Sequence, residues 1–282
     1  MVSDGRMTMV SQAPPLTICV LTYGDYSRLA RRCIESIRRH GDRKRYRLVV
    51  GANAVGAETA TYLRSLLREG QIDRVHFSRR NLNKCPMMRR MFARVDTEFI
   101  WWFDDDSYVR EPEAMERHLR IAQQSAATTV MWGLEAECTH PSTFINLQDV
   151  KKFIRRARWY GGLTPPSWEP GGKGEFDYQG RGRGDPRWRF ILGGCWLIRT
   201  ATVRALDWPD RRLIKLGDDV LLGEAIRQRG WQLCNTMMEG IAINQARRRG
   251  DRGKPRLEMR RTSFTQCHSP RPKSQNPQRS AL

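Results

Sequence analysis

The chain has 282 residues, 39% of them hydrophobic, enough to build one large domain or two small ones around a real core. No stretch reaches the roughly 20 apolar residues of a membrane span, and polar Met1–Pro15 lacks the apolar centre of a secretory signal, so a cytoplasmic protein is expected. Fifty Lys and Arg against 30 Asp and Glu give a formal charge of +20, which points to a polyanionic partner: nucleic acid, an anionic membrane surface or an anionic glycan.

In chain order, residues 1–15 read as a disordered segment, and Leu16–Leu21 as a buried strand. Thr22–Tyr26 forms a turn, and Ser27 is expected to cap a helix to about Arg39 with Leu29, Ile34 and Ile37 on its apolar side. Arg47–Gly51 is a second strand, with a loop at Ala52-Asn53. Glu58–Arg68 is helical and Val75–Ser78 is a short strand. A loop at Asn81–Pro86 leads to a helix over Met87–Val95. Phe99–Phe103 is an apolar, aromatic strand that stops at Asp104, Asp105 and Asp106.

Glu113–Gln124 predicts a helix, Thr129–Leu134 a strand and Leu147–Tyr160 a basic helix. Thr164–Trp188, rich in Gly and Pro, predicts a long irregular loop of the kind that is usually functional or disordered. Phe190–Ile198 is strand-like around Gly193-Gly194, Asp218–Arg229 is a helix, and Trp231–Cys234 and Gly240–Asn244 are edge strands. One domain is therefore expected over 16–250, followed by a basic, largely disordered tail over 251–282. Strands alternating with helices give an α/β fold: Rossmann-like, with a mostly parallel sheet flanked by helices. The seven cysteines, with no Cys-x-x-Cys pair, read as reduced thiols.

Ligands in such sheets bind beyond the carboxyl ends of the strands, where Thr22, Asn53 and the aspartates fall. Three adjacent carboxylates after a buried strand repel one another and must stay solvated, unless a divalent cation sits among them. Hard oxygen ligands suit Mg2+ or Mn2+, usually held by one or two carboxylates plus substrate phosphates. On an extended stretch Asp104 and Asp106 point the same way and can share the metal, leaving Asp105 for a ribose hydroxyl or water. The alternative is a solvated turn.

Downstream, Gly193-Gly194 permits close approach of a ligand or backbone. Asp218 is placed as an N-cap, with Asp219 in the first helical turn. Either the pair supplies a general base or both carboxylates merely complement the helix dipole; spacing alone leaves both open.

Phe103-Asp104-Asp105-Asp106-Ser107-Tyr108-Val109, Gly193-Gly194-Cys195-Trp196 and Gly217-Asp218-Asp219-Val220 with Gly223 resemble the motifs of GT-A nucleotide-sugar glycosyltransferases. In order they are closest to the Fringe-like β-1,3-glycosyltransferases, while Thr17–Tyr23 resembles the first strand of family 2 glycosyltransferases. The resemblance spans about 16–245. It implies an inverting hexosyltransferase of GT-A fold. Asp104 and Asp106 would hold Mn2+ or Mg2+, and Asp219, or else Asp218, would be the base. Donor contacts, most simply to a UDP-sugar, would come from Thr22, Tyr23, Asp25, Asn53, Lys84, Asp105, Gly193 and Gly194. The chain departs from the Fringe pattern in showing no anchor and no His between Trp231 and Arg249; the nearest is His268.

Basic residues interleaved with aromatics suit a phosphate backbone and stacked bases. Lys151, Lys152, Arg155, Arg156 and Trp159 form one cluster, Arg181, Arg183 and Trp188 a second, and Arg247, Arg248 and Arg249 a third. With the charge, they favour DNA carrying a hydroxymethylated pyrimidine as acceptor, as in bacteriophage DNA modification. A bacterial surface glycan or lipid-linked sugar is the alternative, and a non-catalytic nucleic-acid-binding protein on the same shell is the alternative of another class.

Overall fold

The computed structural model describes residues 14–138, 188–211, 213–214 and 218–243. At its centre β1 (Leu16–Tyr23) pairs in parallel with β2 (Tyr46–Asn53) on one side and β4 (Phe99–Asp104) on the other. β3 (Arg74–Ser78) extends β2 in parallel. β7 (Trp188–Arg199) runs antiparallel between β4 and β6 (Thr129–Cys138), and β8 (Gln232–Asn235) returns parallel to β6. The order is β3-β2-β1-β4-β7-β6-β8, so the sheet is parallel except for β7. A separate ribbon joins β5 (Tyr108–Val109) to β9 (Ile241–Ala242).

The central strands β1, β2 and β4 are largely apolar because both their faces are covered, whereas the edge strand β3 has no buried residue. Alternate side chains serve different layers. Phe99, Trp101 and Phe103 of β4 pack with α1 (Ser27–His40), α2 (Ala57–Arg68) and α4 (Ala114–Gln124), while Ile100 and Trp102 pack on the other face. There they meet α3 (Lys84–Phe92), α5 (Thr200–Leu206) and α6 (Asp218–Gln228). α1 buries Ala30, Cys33, Ile34 and Ile37, the spacing of one helical face. α6 lies so close on β7 that a Cβ at Gly223 would stand 2.5 Å from the Arg189 carbonyl oxygen.

Several boundaries differ from expectation. Ser27 is the first residue of α1 and makes no capping bond; Tyr26 stands before it, its carbonyl taking the Leu29 and Ala30 amides. α3 begins at Lys84, because Pro86 falls in its first turn, where a missing N–H costs nothing. Asn53 belongs to β2 rather than to a loop. The ribbon strand β5 and helix α5 are too short to announce themselves by periodicity. Cys19, Cys33, Cys85 and Cys195 are free and buried as expected, but Cys234 is disulfide-bonded, so cysteine usage no longer argues for a reducing compartment. The expected basic helix over 147–160, most of the expected loop over 164–188 and the tail over 251–282 lie outside the described residues.

Candidate active site

β1, β2 and β4 end at Tyr23, Asn53 and Asp104 on the same edge of the sheet. Phe103 pairs with Cys195 across β4 and β7, which brings Gly193-Gly194 to the same edge beside Asp104. Beyond Asp104 the chain turns instead of continuing: the Ser107 N–H donates to the Asp104 carbonyl at 2.9 Å. The strand alternation invoked to align Asp104 with Asp106 is therefore absent.

Each aspartate has its own surroundings. Asp104 takes the Trp102 indole N–H on one oxygen at 2.9 Å and faces Lys84 Nζ with the other at 3.3 Å. Trp102 itself stacks on Trp196 with ring centroids 5.8 Å apart, and Phe92 stands edge-on to both, so the indole is rigidly aimed. Asp105 is only 1% exposed and accepts the Tyr23 N–H at 3.4 Å, while its own N–H donates to the Leu21 carbonyl. It ties the ends of β1 and β4 together. Asp106 is buried, and Ser107 Oγ donates to the Gly194 carbonyl at 3.1 Å, fixing the turn to β7.

Lys84 is the hub. Its ammonium lies 2.9 Å from the Gly193 carbonyl and 3.3 Å from both Asp104 and Asp218. Burial alone would lower its pKa, but the facing carboxylates of Asp104, Asp218 and Asp219 outweigh that and hold it charged. Asn53 positions it indirectly. The amide donates to Asn81 Oδ1 at 2.9 Å and to the Asn83 carbonyl at 3.3 Å, and accepts the Leu82 N–H at 2.8 Å, pinning the loop that leads into α3.

Asp218 and Asp219 occupy the first turn of α6. Asp218 was expected at the N-cap; it stands inside the helix. Asp219 accepts the Val220 N–H at 2.9 Å and a bond from the Gly193 backbone. Burial first, and then the neighbouring Asp218 charge, push the Asp219 pKa up to about 6, against the pull of Lys84. A carboxylate poised there can take a proton near neutral pH. Space at Gly193 is tight: a Cβ would stand 3.0 Å from Lys84 Nζ and 3.3 Å from an Asp219 oxygen, so a side chain there would press on the site.

Thr22 is buried, and its hydroxyl is spent on the Gly51 carbonyl at 3.1 Å, so it shapes the strand end rather than lining open space. Tyr23 is half-buried, edge-on to Tyr26. Asp25 is exposed, its carboxylate against Gly56 at the start of α2. Lys151, Lys152, Arg155, Arg156, Trp159, Arg181, Arg183, Arg247, Arg248 and Arg249 lie outside the described residues, as does the side chain of Trp188. Trp102 escaped sequence reasoning, although its place two residues before Asp104, on the same strand face, signals it.

Among the described residues no group of three or more His, Cys, Asp or Glu side chains gathers as a metal cage. The donor chemistry nevertheless fits a hard cation. Oxygens of Asp104 and Asp218 already converge on one ammonium, and Mg2+ or Mn2+ needs only one or two carboxylates when phosphates complete its shell. No helix among the described residues is long and apolar enough to cross a membrane.

The family "Glycosyltransferase like family 2" matches residues 14–261. No curated protein matches the chain. Among solved structures, a mannosyltransferase from Pyrobaculum calidifontis, in complex with GDP-Man and Mn2+, superposes with a TM-score of 0.51 at 13% identity. The match covers 78% of this chain and 54% of that one. S. aureus TarS 1-349 gives a TM-score of 0.48 at 11% identity, covering 75% of this chain and 54% of that one. The chain thus spans about half the length of these two structures. The family match is to the family 2 side of the sequence resemblance; nothing found here supports the Fringe side.

Proposed function

The chain belongs to the family 2-like glycosyltransferases, and from that premise we propose an inverting transfer of a sugar from a nucleotide sugar to a hydroxyl group on hydroxymethylated pyrimidines of DNA. The observation that carries the catalytic part is the meeting of three distant segments on one ammonium: Asp104 from β4, Asp218 from α6 and the Gly193 carbonyl of β7. Asp219 sits beside that meeting point.

Asp219 takes the proton of the acceptor hydroxyl. The acceptor oxygen then forms a bond to the anomeric carbon as the bond from that carbon to the donor phosphate oxygen breaks. The nucleoside diphosphate leaves with the electron pair, and the configuration at the anomeric carbon inverts. Lys84 lies where it can offset negative charge growing on the leaving diphosphate. A divalent cation held by Asp104 and Asp218, whose oxygens face one point, would supply Lewis-acid help at the departing oxygen. The GDP-Man and Mn2+ in the Pyrobaculum calidifontis enzyme agree with this reading.

The acceptor rests on the +20 charge and on the basic, aromatic clusters of the sequence. A base inside a duplex has to be flipped out to reach a carboxylate at the sheet edge. The test is a screen of nucleotide sugars, UDP-sugars first, for nucleoside diphosphate release with Mn2+ or Mg2+, with and without hydroxymethylated DNA. Release that rises with the modified DNA and yields glycosylated base supports the proposal. Transfer to simple saccharides alone removes the DNA acceptor.

A further inference from the structure

A groove of about 500 Å3 runs between α1 and β5. One wall is α1, which presents Arg28, Arg31, Arg32 and Arg39 to it; the other is β5 with the following residue, Arg110. Val109 ties the walls together by donating its N–H to Ser36 Oγ at 3.0 Å. From Arg28 to Arg39 the helix rises roughly 16 Å. The arginine end nearest Ser27 follows Tyr23 at the end of β1, and Tyr108 lies two residues past Asp106, so both walls lead back along the chain to strand ends that carry the site.

Every cationic side chain except His40 in the lining is Arg, and Glu35 is its one acid. Arg31 is partly engaged by Glu58 at 3.5 Å, a largely exposed pair. Guanidinium forks bind phosphate oxygens bidentately, which a lysine cannot do. Arg32 lies 4.2 Å over the Tyr108 ring, which orders it and leaves the ring flanked by positive charge. The surface is concave, and its apolar lining residue Val109 is buried.

We propose that this groove is a track for the phosphate backbone of a nucleic-acid strand. A few successive phosphates of one strand, spaced about one per 3.4 Å of duplex axis, fit along its length. The identity of the strand as acceptor rests on the function proposed above; binding itself does not. The base to be modified sits at the carboxylate edge while its backbone lies along α1.

The test uses the full chain, fluorescein-labelled single-stranded and duplex DNA, and anisotropy at several salt concentrations. The double variant Arg39→Glu, Arg110→Glu is compared with Arg90→Glu, Arg94→Glu, an equal charge change at exposed positions on the α3 side of the sheet. The groove variant is expected to bind at least about tenfold more weakly, with the salt slope reduced by about 2, while the control changes little. Basal hydrolysis of nucleotide sugar stays unchanged in both, which shows that the fold is intact. Equal losses in both variants, no loss in the groove variant, or binding to anionic vesicles but not DNA overturns the proposal. Groove-dependent DNA binding without any sugar transfer to modified DNA sustains the groove and removes the acceptor. Transfer to DNA untouched by the groove variant does the reverse.

Discussion

Lys84 joins carboxylates that are more than a hundred residues apart in the chain, and its removal is the sharpest single test of how the site is held. Lys84→Met leaves Asp104 and Asp218 facing each other without a cation. A buried charge stripped of its partner costs on the order of 3 kcal/mol, read as a lower denaturation midpoint. Asp218→Asn added to Lys84→Met restores part of that loss, so the two changes are not additive. At Asp219 the prediction is kinetic: Asp219→Asn lowers transfer by roughly 10²–10⁴-fold with donor binding retained. The base works deprotonated, so the wild-type rate climbs as pH rises through about 6 and then levels off. The folded state holds this proton more tightly than the unfolded chain, so the group's contribution to stability is lost as pH rises between about 4 and 6. Asp104 stood out because a run of carboxylates closes an apolar strand, while Lys84 and the choice of Asp219 came from the family resemblance rather than from local chemistry. The parts played by Thr22, Asn53 and Asp105 were not, because each bonds to a segment 28 or more residues away.

At the scale of elements, the alternation of strands and helices and the two-faced apolar strands were readable from periodicity. The parallel sheet follows from them, and the single reversed strand β7 does not, since pairing partners are set by tertiary packing rather than local pattern. The turn after Asp104 stood only as the alternative for a related reason: Ser107 is anchored to Gly194, which no local signal reveals. Gly223 tests the close seating of α6 on β7. Helix propensity alone would make Gly223→Ala stabilising by about 1 kcal/mol. A Cβ 2.5 Å from a backbone carbonyl has nowhere to go, and overpacking of this kind costs about 1–3 kcal/mol. The strain therefore wins, and a lower denaturation midpoint is expected. Because α6 carries both candidate bases, transfer falls as well, whereas a change on exposed α2, such as Arg68→Ala, alters neither.

The whole molecule combines a site that holds paired charges in a largely buried crevice with an excess of positive charge over the chain. That excess predicts association with DNA that weakens steeply with salt, while hydrolysis of a small nucleotide sugar responds only weakly. The two salt profiles, recorded on one preparation, separate the surface from the crevice. The claim on which the rest depends is that Asp219 drives displacement of a nucleoside diphosphate from a nucleotide sugar. Mass spectrometry of the products, with wild type and Asp219→Asn given nucleotide sugar, Mn2+ and hydroxymethylated DNA, addresses it most directly. The account predicts one nucleoside diphosphate for each hexose found on the DNA, and almost none of either from the variant. Release of pyrophosphate or nucleoside monophosphate instead, or a variant as fast as wild type, would contradict it.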